Sequence, residues 1–310
     1  MWDVEVDIIC VGAGAGALAS AVAAADQGLD VFMATPGVQH PDIGRQAYPR
    51  THAWLDAEIP DPETNDYFMA LSCDVGPLRP GARDGDVCFR VVHDQPPANR
   101  KRSIEPFFGA RLRDWATRCL VSPFGYLDSR VAGPDTTTMR TRSGEALEVT
   151  VVGAFAPGSG SDVPAALCDW LGTRVRGQGV TVSDDTPLQR IVFEEGDVVG
   201  AVFATPGGPL AVQARRGITV AAGGVPVDVP ASRPMSTIPD LDGVDVCLVS
   251  QSASRFGRVE LLRREPAAAL PATGVFAPNH PWRDPVQENR PARSQTRRGG
   301  KVHGNPPLGQ

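Results

Sequence analysis

Residues 4 to 11, Val-Glu-Val-Asp-Ile-Ile-Cys-Val, alternate apolar with polar and then run apolar, the pattern of a strand entering a parallel sheet. Gly12-Ala13-Gly14-Ala15-Gly16-Ala17 follows without a gap. Leu18 to Gln27 is alanine-rich and predicts a helix, which Gly28 closes as a C-terminal cap. Leu29 to Met33 predicts a second apolar strand, completing one βαβ unit.

The next stretch, about 36 to 156, keeps no sustained period and is expected to be an irregular insertion. Within it, Asp61-Pro62-Glu63-Thr64 reads as a helix start before Tyr67, Phe68, Ala70 and Leu71. Cys88 to Val92 predicts a short strand, Ala110 to Leu120 a helix, and Leu147 to Phe155 a β-branched strand. After the breaker Pro157-Gly158-Ser159-Gly160, Ser161 or Asp162 can cap a helix with Pro164 in its first turn. Val163, Leu167, Trp170, Leu171 and Val175 keep helical spacing there. Short strands follow at Val180 to Val182, Leu188 to Phe193, Val198 to Ala204 and Leu210 to Ala214, with turns at Glu195-Gly196-Asp197 and Pro206-Gly207-Gly208. Ile218 to Ala222 then runs as a buried strand into Gly223-Gly224. The pattern thus predicts an α/β fold: a doubly wound, Rossmann-like sheet with a small β-meander and the irregular insertion. The domain spans 1–235, and 236–264 is a C-terminal extension. From Glu265-Pro266 the chain is Pro- and Arg-rich without period, and 265–310 is expected to be a largely disordered tail.

Composition narrows the function classes. Apolar residues at 42% and charged residues at 21% suit a globular chain of 310 residues. Gly (33) and Pro (29) exceed their usual combined share of about 12%, so many loops are expected. A formal charge of −6 argues against nucleic acid as the main partner. No run of about 20 apolar residues predicts a membrane span. The acidic start Met1-Trp2-Asp3-Val4-Glu5 lacks the basic region of a signal peptide, so a cytoplasmic protein is expected. The six cysteines form no CxxC pair and the five histidines have no ligand-like spacing, so no metal site is expected.

The glycine run carries the chemistry. A dinucleotide site needs a tight turn, a backbone that can approach a pyrophosphate, and a close helix–strand contact. Gly12 and Gly14 supply the first two, and Ala17 fills the third position. The N–H groups near Ala15 and Gly16 would face the phosphates, with the positive end of the helix dipole behind them. A helix packed tightly on a sheet without a ligand would need the same small residues. The second strand of such units usually ends in an acid that holds the adenosine ribose. Here that place is Ala34-Thr35, and Thr35 offers one hydroxyl contact of about 0.5–1.5 kcal/mol instead.

Three blocks resemble the FAD-dependent flavoproteins of the fumarate reductase and 3-ketosteroid dehydrogenase family. They are Asp7 to Ala17; Arg102-Ser-Ile-Glu-Pro-Phe-Phe-Gly-Ala-Arg-Leu112; and Ala165 to Gly224, the most specific, closing in Ala221-Ala222-Gly223-Gly224. The resemblance implies FAD as cofactor, with backbone near Ile191 and Val192 beside the adenine and Ala222-Gly223 returning to the cofactor. It also implies hydride removal from a carbon next to a carbonyl, assisted by a protein base. Family members continue well beyond this length, through a capping domain and a second glycine-rich FAD segment. The tyrosine expected upstream of the Arg-Ser-Ile-Glu-Pro block is replaced by His93-Asp94-Gln95-Pro96. Tyr126 is the remaining candidate acid, although a core or loop tyrosine is the plainer reading, and Arg102 and Arg111 are candidate anion ligands, although solvated arginines are the default.

Three readings stand side by side. The chain is an FAD-binding relative of CH–CH dehydrogenases without a complete active site of its own; or it is a non-catalytic accessory protein; or it is one half of a split dehydrogenase completed by a partner chain.

Overall fold

The computed structural model describes residues 1–36, 59–75, 87–94, 109–130, 136–158, 162–221 and 243–265. Strand β1 (Val4–Val11) leads into helix α1 (Ala15–Asp26) and strand β2 (Val31–Ala34), as the apolar pattern predicts. Gly28 has φ +73°, the left-handed conformation that ends a helix at least cost when no side chain is present. Helix α1 is small-residue throughout and buried nearly all round, because it lies between the sheet and a second helix.

Helix α2 (Pro62–Ser72) starts where expected: the Asp61 carboxylate accepts the Thr64 N–H at 2.8 Å. Strand β3 (Cys88–Asp94) and helix α3 (Gly109–Leu120) follow, the helix burying Trp115, Ala116, Cys119 and Leu120 on one face. Strands β4 (Gly125–Asp128), β5 (Thr137–Thr141) and β6 (Ala146–Phe155) come next. Helix α4 (Val163–Gly177) is capped by Asp162 and packs its stripe of Val163, Leu167, Leu171 and Val175 in the same apolar cluster as α1. Strand β7 (Thr181–Ser183), the meander of β8 (Leu188–Glu194), β9 (Asp197–Thr205) and β10 (Gly208–Ala221), and the hairpin β11 (Val244–Ser250) and β12 (Phe256–Arg264) complete the described chain.

Two regions differ from the sequence reading. Within the expected irregular insertion of 36–156, α2, β3, α3 and β6 stand where the pattern places them, but β4 and β5 are additional strands and all four strands join the single sheet. The expected extension of 236–264 holds β11 and β12, and β12 pairs with β3, β4 and β11 at once. The successive pairings β11–β6, β6–β5, β5–β3, β3–β12 and β12–β11 close these strands into a barrel. Partners as distant as those of β3 and β4 on β12 and of β6 on β11 leave little local signal. The two strands expected at Leu210–Ala214 and Ile218–Ala222 are one, because a bulge at Arg215-Arg216 carries β10 through the polar break while Asp7 of β1 holds the Arg215 guanidinium at 3.1 Å.

A charged plug lies between α3 and strands β3 and β12 of the barrel. Arg90 of β3 donates twice to the fully buried Glu260 of β12, at 2.7 and 2.6 Å, and once to Glu145 at 2.8 Å. Arg258 donates to the same Glu260 at 2.7 Å. The Trp115 ring of α3 lies against both guanidiniums, 5.6 and 5.3 Å from its centre. Every charge is paired, which is what permits burial.

The nucleotide-type layer is β7–β2–β1–β10, parallel throughout. Beside it, β4 pairs with β10 antiparallel and joins the layer to the barrel through β12. Among the described residues no helix is long and apolar enough to cross a membrane.

Candidate functional site

The carboxyl ends of the four parallel strands stand in one row: Ser183 pairs with Ala34, Ala34 with Val11, and Val11 with Val220. The crevice outside such a row is where open α/β sheets take ligands. Gly12 turns the chain there with φ +121°, and its N–H donates to the Ala34 carbonyl at 2.8 Å. A Cβ on Gly12 would stand 2.7 Å from that of Ala221, so β10 also requires glycine at this position. Gly16 serves the same purpose one turn on, where a Cβ would meet the Gly125 carbonyl at 2.8 Å.

Gly14 is the N-cap of α1 and offers no side chain, and the first turn carries no acid. The first intrahelical bond runs from the Leu18 N–H to the Gly14 carbonyl. The N–H groups of Ala15, Gly16 and Ala17 precede it and point out of the helix end. The Cys168 thiol of α4 lies beside the Ala15 N–H; burial pushes that thiol up to about 11, with the Asp169 carboxylate adding to the rise. The Gly16 and Ala17 N–H groups, which have no acceptor within the helix, the helix dipole and an N-cap without a side chain stand at this end of the sheet, a donor set that fits a pyrophosphate.

At the end of β2 the Thr35 hydroxyl donates to the Asp184 carboxylate at 2.9 Å, and the Thr35 N–H and carbonyl bond to Ser183 and Thr186. The acid missing from the second strand is thus present on its neighbour. The β2–β7 pairing brings it there. Sequence reasoning missed Asp184 because it follows Thr35 at a separation of 149 residues.

A family model described as "FAD binding domain" matches residues 113–267, half of the chain. The chain belongs to the FAD-binding domain family. That match runs from α3 through β12, and the glycine turn before it supplies a donor set that fits the pyrophosphate of FAD, the cofactor of this flavoprotein fold.

No curated protein matches the chain. Among solved structures it is similar to 3-ketosteroid-Δ4-(5α)-dehydrogenase from Rhodococcus jostii RHA1 in complex with 4-androstene-3,17-dione, at 19% identity and a TM-score of 0.29, over 70% of this chain and 46% of that one. The open conformation of a flavocytochrome c3 fumarate reductase matches at 12% identity and a TM-score of 0.30, over 69% of this chain and 33% of that one. A geranylgeranyl bacteriochlorophyll reductase-like protein from Thermoplasma acidophilum matches at 12% and 0.29, over 83% of this chain and 56% of that one. The chain therefore spans between a third and just over half of these proteins.

Of the residues expected at the FAD site, Gly12, Gly14, Ala15, Gly16, Ala17 and Thr35 gather at the crevice. Ile191 and Val192 lie on β8 of the meander, where the Ile191 N–H donates to the buried Thr64 hydroxyl at 2.8 Å and is already engaged. Ala222 and Gly223 lie outside the described residues, one and two positions past the end of β10. Tyr126 is buried on β4 beneath α1, 3.1 Å from where a Gly16 Cβ would stand, and burial raises its phenol well above the ordinary value. It pairs with Ala221 at the end of β10, and its phenol lies over Gly257 of β12, where a Cβ would stand 2.3 Å from the phenol oxygen. Arg102 and the tail beyond Glu265 lie outside the described residues, and among those described no group of His, Cys, Asp and Glu could hold a metal.

Proposed function

We propose that this chain is the FAD-holding part of a flavin oxidoreductase of the CH–CH dehydrogenase type, with the ADP half of the cofactor on the glycine turn. The pyrophosphate lies against the Gly16 and Ala17 N–H groups, and Gly12 and Gly14 leave the space for its approach. Thr35 and Asp184 receive the adenosine ribose, the carboxylate taking the role that the second strand's own acid has in other dinucleotide folds. The layer β7–β2–β1–β10 is the part of a doubly wound sheet that such a site requires. FAD supplies the hydride acceptor of the reaction; the residues here bind and orient its adenine end.

The observation that carries this reading is the uncapped N-terminus of α1 at the carboxyl ends of parallel strands, beside the Thr35–Asp184 pair. The dehydrogenase activity extends the resemblance to the reductase and ketosteroid dehydrogenase family. In this reading the active site is completed by a partner chain. The burial of Tyr126, with its phenol packed over Gly257 of β12, supports that, since a phenol closed off in this way is not presented to a substrate. The same position favours, as a second reading, an accessory protein that holds flavin without turnover.

The visible spectrum of the purified chain decides the first step: flavin absorbance that survives gel filtration, or FAD titrated in with a saturable change, supports it. No binding of FAD or ADP at any concentration overturns it. Dehydrogenation of a 3-ketosteroid or succinate with an artificial acceptor is expected only when a second protein is added. Turnover by the single chain would refute the split site.

A further inference from the structure

The turn that joins β7 to β8 is tied down by its own hydrogen bonds. The Thr186 N–H donates to the Thr35 carbonyl at 2.9 Å, and the Thr186 hydroxyl donates to the Asp184 carbonyl at 2.9 Å. The Ser183 and Thr186 hydroxyls share a further bond of 2.8 Å, and Thr186 is buried. Asp184 and Asp185 are the two exposed residues of the turn. Asp185 has φ +53°, in the left-handed region that aspartate enters more readily than most residues. Both carboxylates are therefore carried on backbone that is already ordered before a ligand arrives.

The chemistry at these strand ends has one sign. Residues 31–36 and 181–187 bring two carboxylates and no Lys or Arg to the ends of β2 and β7. The Thr35 hydroxyl does not change that, because it is spent on Asp184 at 2.9 Å. A carboxylate accepts hydrogen bonds and donates none. A ribose hydroxyl meets that need by donating. A phosphate on the same ribose oxygen removes the donor, puts acceptors in its place and adds about −1.5 to −2 of charge. Dinucleotide sites that take a phosphorylated ribose place an arginine near it, and here acids stand instead.

We propose that Asp184 and Asp185 make the adenosine end of this site select a ribose free of phosphate. The site then admits FAD and other adenine nucleotides with both ribose hydroxyls free, and it refuses those phosphorylated at the 2′ or 3′ oxygen. The proposal rests on the FAD reading above and names the class of nucleotide that the same site takes. The selection comes from a repulsive contact with the wrong ligand. Both acids are exposed, so solvent and salt screen that repulsion, and the discrimination is on the order of tenfold.

Two matched pairs of nucleotides with intact pyrophosphates test it by isothermal titration of the full chain. ADP-ribose is expected to bind about tenfold or more tightly than 2′-phospho-ADP-ribose, and dephospho-coenzyme A to exceed coenzyme A by a similar factor. Asp184→Asn combined with Asp185→Asn is expected to bring each ratio to within about threefold of unity. Both positions are exposed, and asparagine accepts the left-handed backbone of Asp185, so the variant folds. A merely structural role for these acids would weaken both members of a pair alike and leave the ratio as in the parent. Equal affinity within the pairs overturns the proposal while the FAD reading stands, and so does a ratio that the double variant does not change. Failure of ADP-ribose and FAD alike to bind overturns both.

Discussion

The Thr35 hydroxyl and the Asp184 carboxylate meet at 2.9 Å across the ends of β2 and β7, and so restore a carboxylate to the place where the second strand lacks one. The hydroxyl holds one carboxylate oxygen, and Asp184 is exposed. Asp184 therefore combines an anchored position with access to solvent, the two properties that the proposed ribose contact needs.

This pair gives the first prediction. Asp184→Ala is expected to weaken FAD about tenfold and ADP by the same factor, while leaving FMN unaffected, because FMN lacks the adenosine ribose. Thr35→Ala is expected to cost less. Fluorescence titration of the three nucleotides reads the difference, and equal loss for FMN would mean that Asp184 acts on the fold and not on the ribose.

Gly14→Val tests the turn itself. Gly14 has φ −80°, which valine adopts without strain, so the substitution acts by filling the approach to the helix N-terminus. Loss of one or two phosphate contacts predicts FAD binding weaker by about 10- to 100-fold with an unchanged circular dichroism spectrum. Retained affinity would place the pyrophosphate elsewhere.

The barrel plug predicts a stability effect remote from the cofactor. Arg90→Ala removes three donors and leaves the fully buried Glu260 with Arg258 alone. Stripping a partner from a buried ion pair costs about 3–5 kcal/mol, so urea denaturation is expected to shift to a much lower midpoint. Replacement of all three charges together, Arg90→Met and Arg258→Met with Glu260→Leu, is expected to recover much of that loss. A midpoint unchanged in Arg90→Ala would show that the plug carries no stability.

Asp128 sets a pH dependence. Burial raises its carboxyl from the ordinary 3.8 to about 6, opposed by the Arg130 N–H and by the Arg130 and Arg255 guanidiniums. The folded state then holds a proton that the unfolded chain has released, so stability contributed by Asp128 is full below about pH 4 and falls as pH rises through 6. Asp128 keeps some contact with solvent, so the loss is on the order of 1–2 kcal/mol. Asp128→Asn is expected to be the more stable protein at pH 7 and to lack this slope between pH 4 and 6. Parallel pH–stability curves for the two proteins would refute the assignment.

Local order was written in the sequence. The run Val4 to Val11, the glycine turn, the alanine-rich helix and the caps at Asp61 and Asp162 each act through neighbours a few residues away, and each stands where the pattern places it. Glycine at 12 could be read as a turn because only a residue without a Cβ takes φ +121° so readily. Tertiary structure decided the rest. Asp184 reaches Thr35 only because β7 pairs with β2, and Glu148 faces Tyr126 only because β11 and β12 lie between them with Gly257 in register. The barrel depends on pairings such as β3 with β12, where Arg90 and Glu260 are 170 residues apart. Side-chain alternation says which face of a strand is buried, but not which strand it meets. Strand partners are selected by the packing of the whole sheet, and no local segment carries that information.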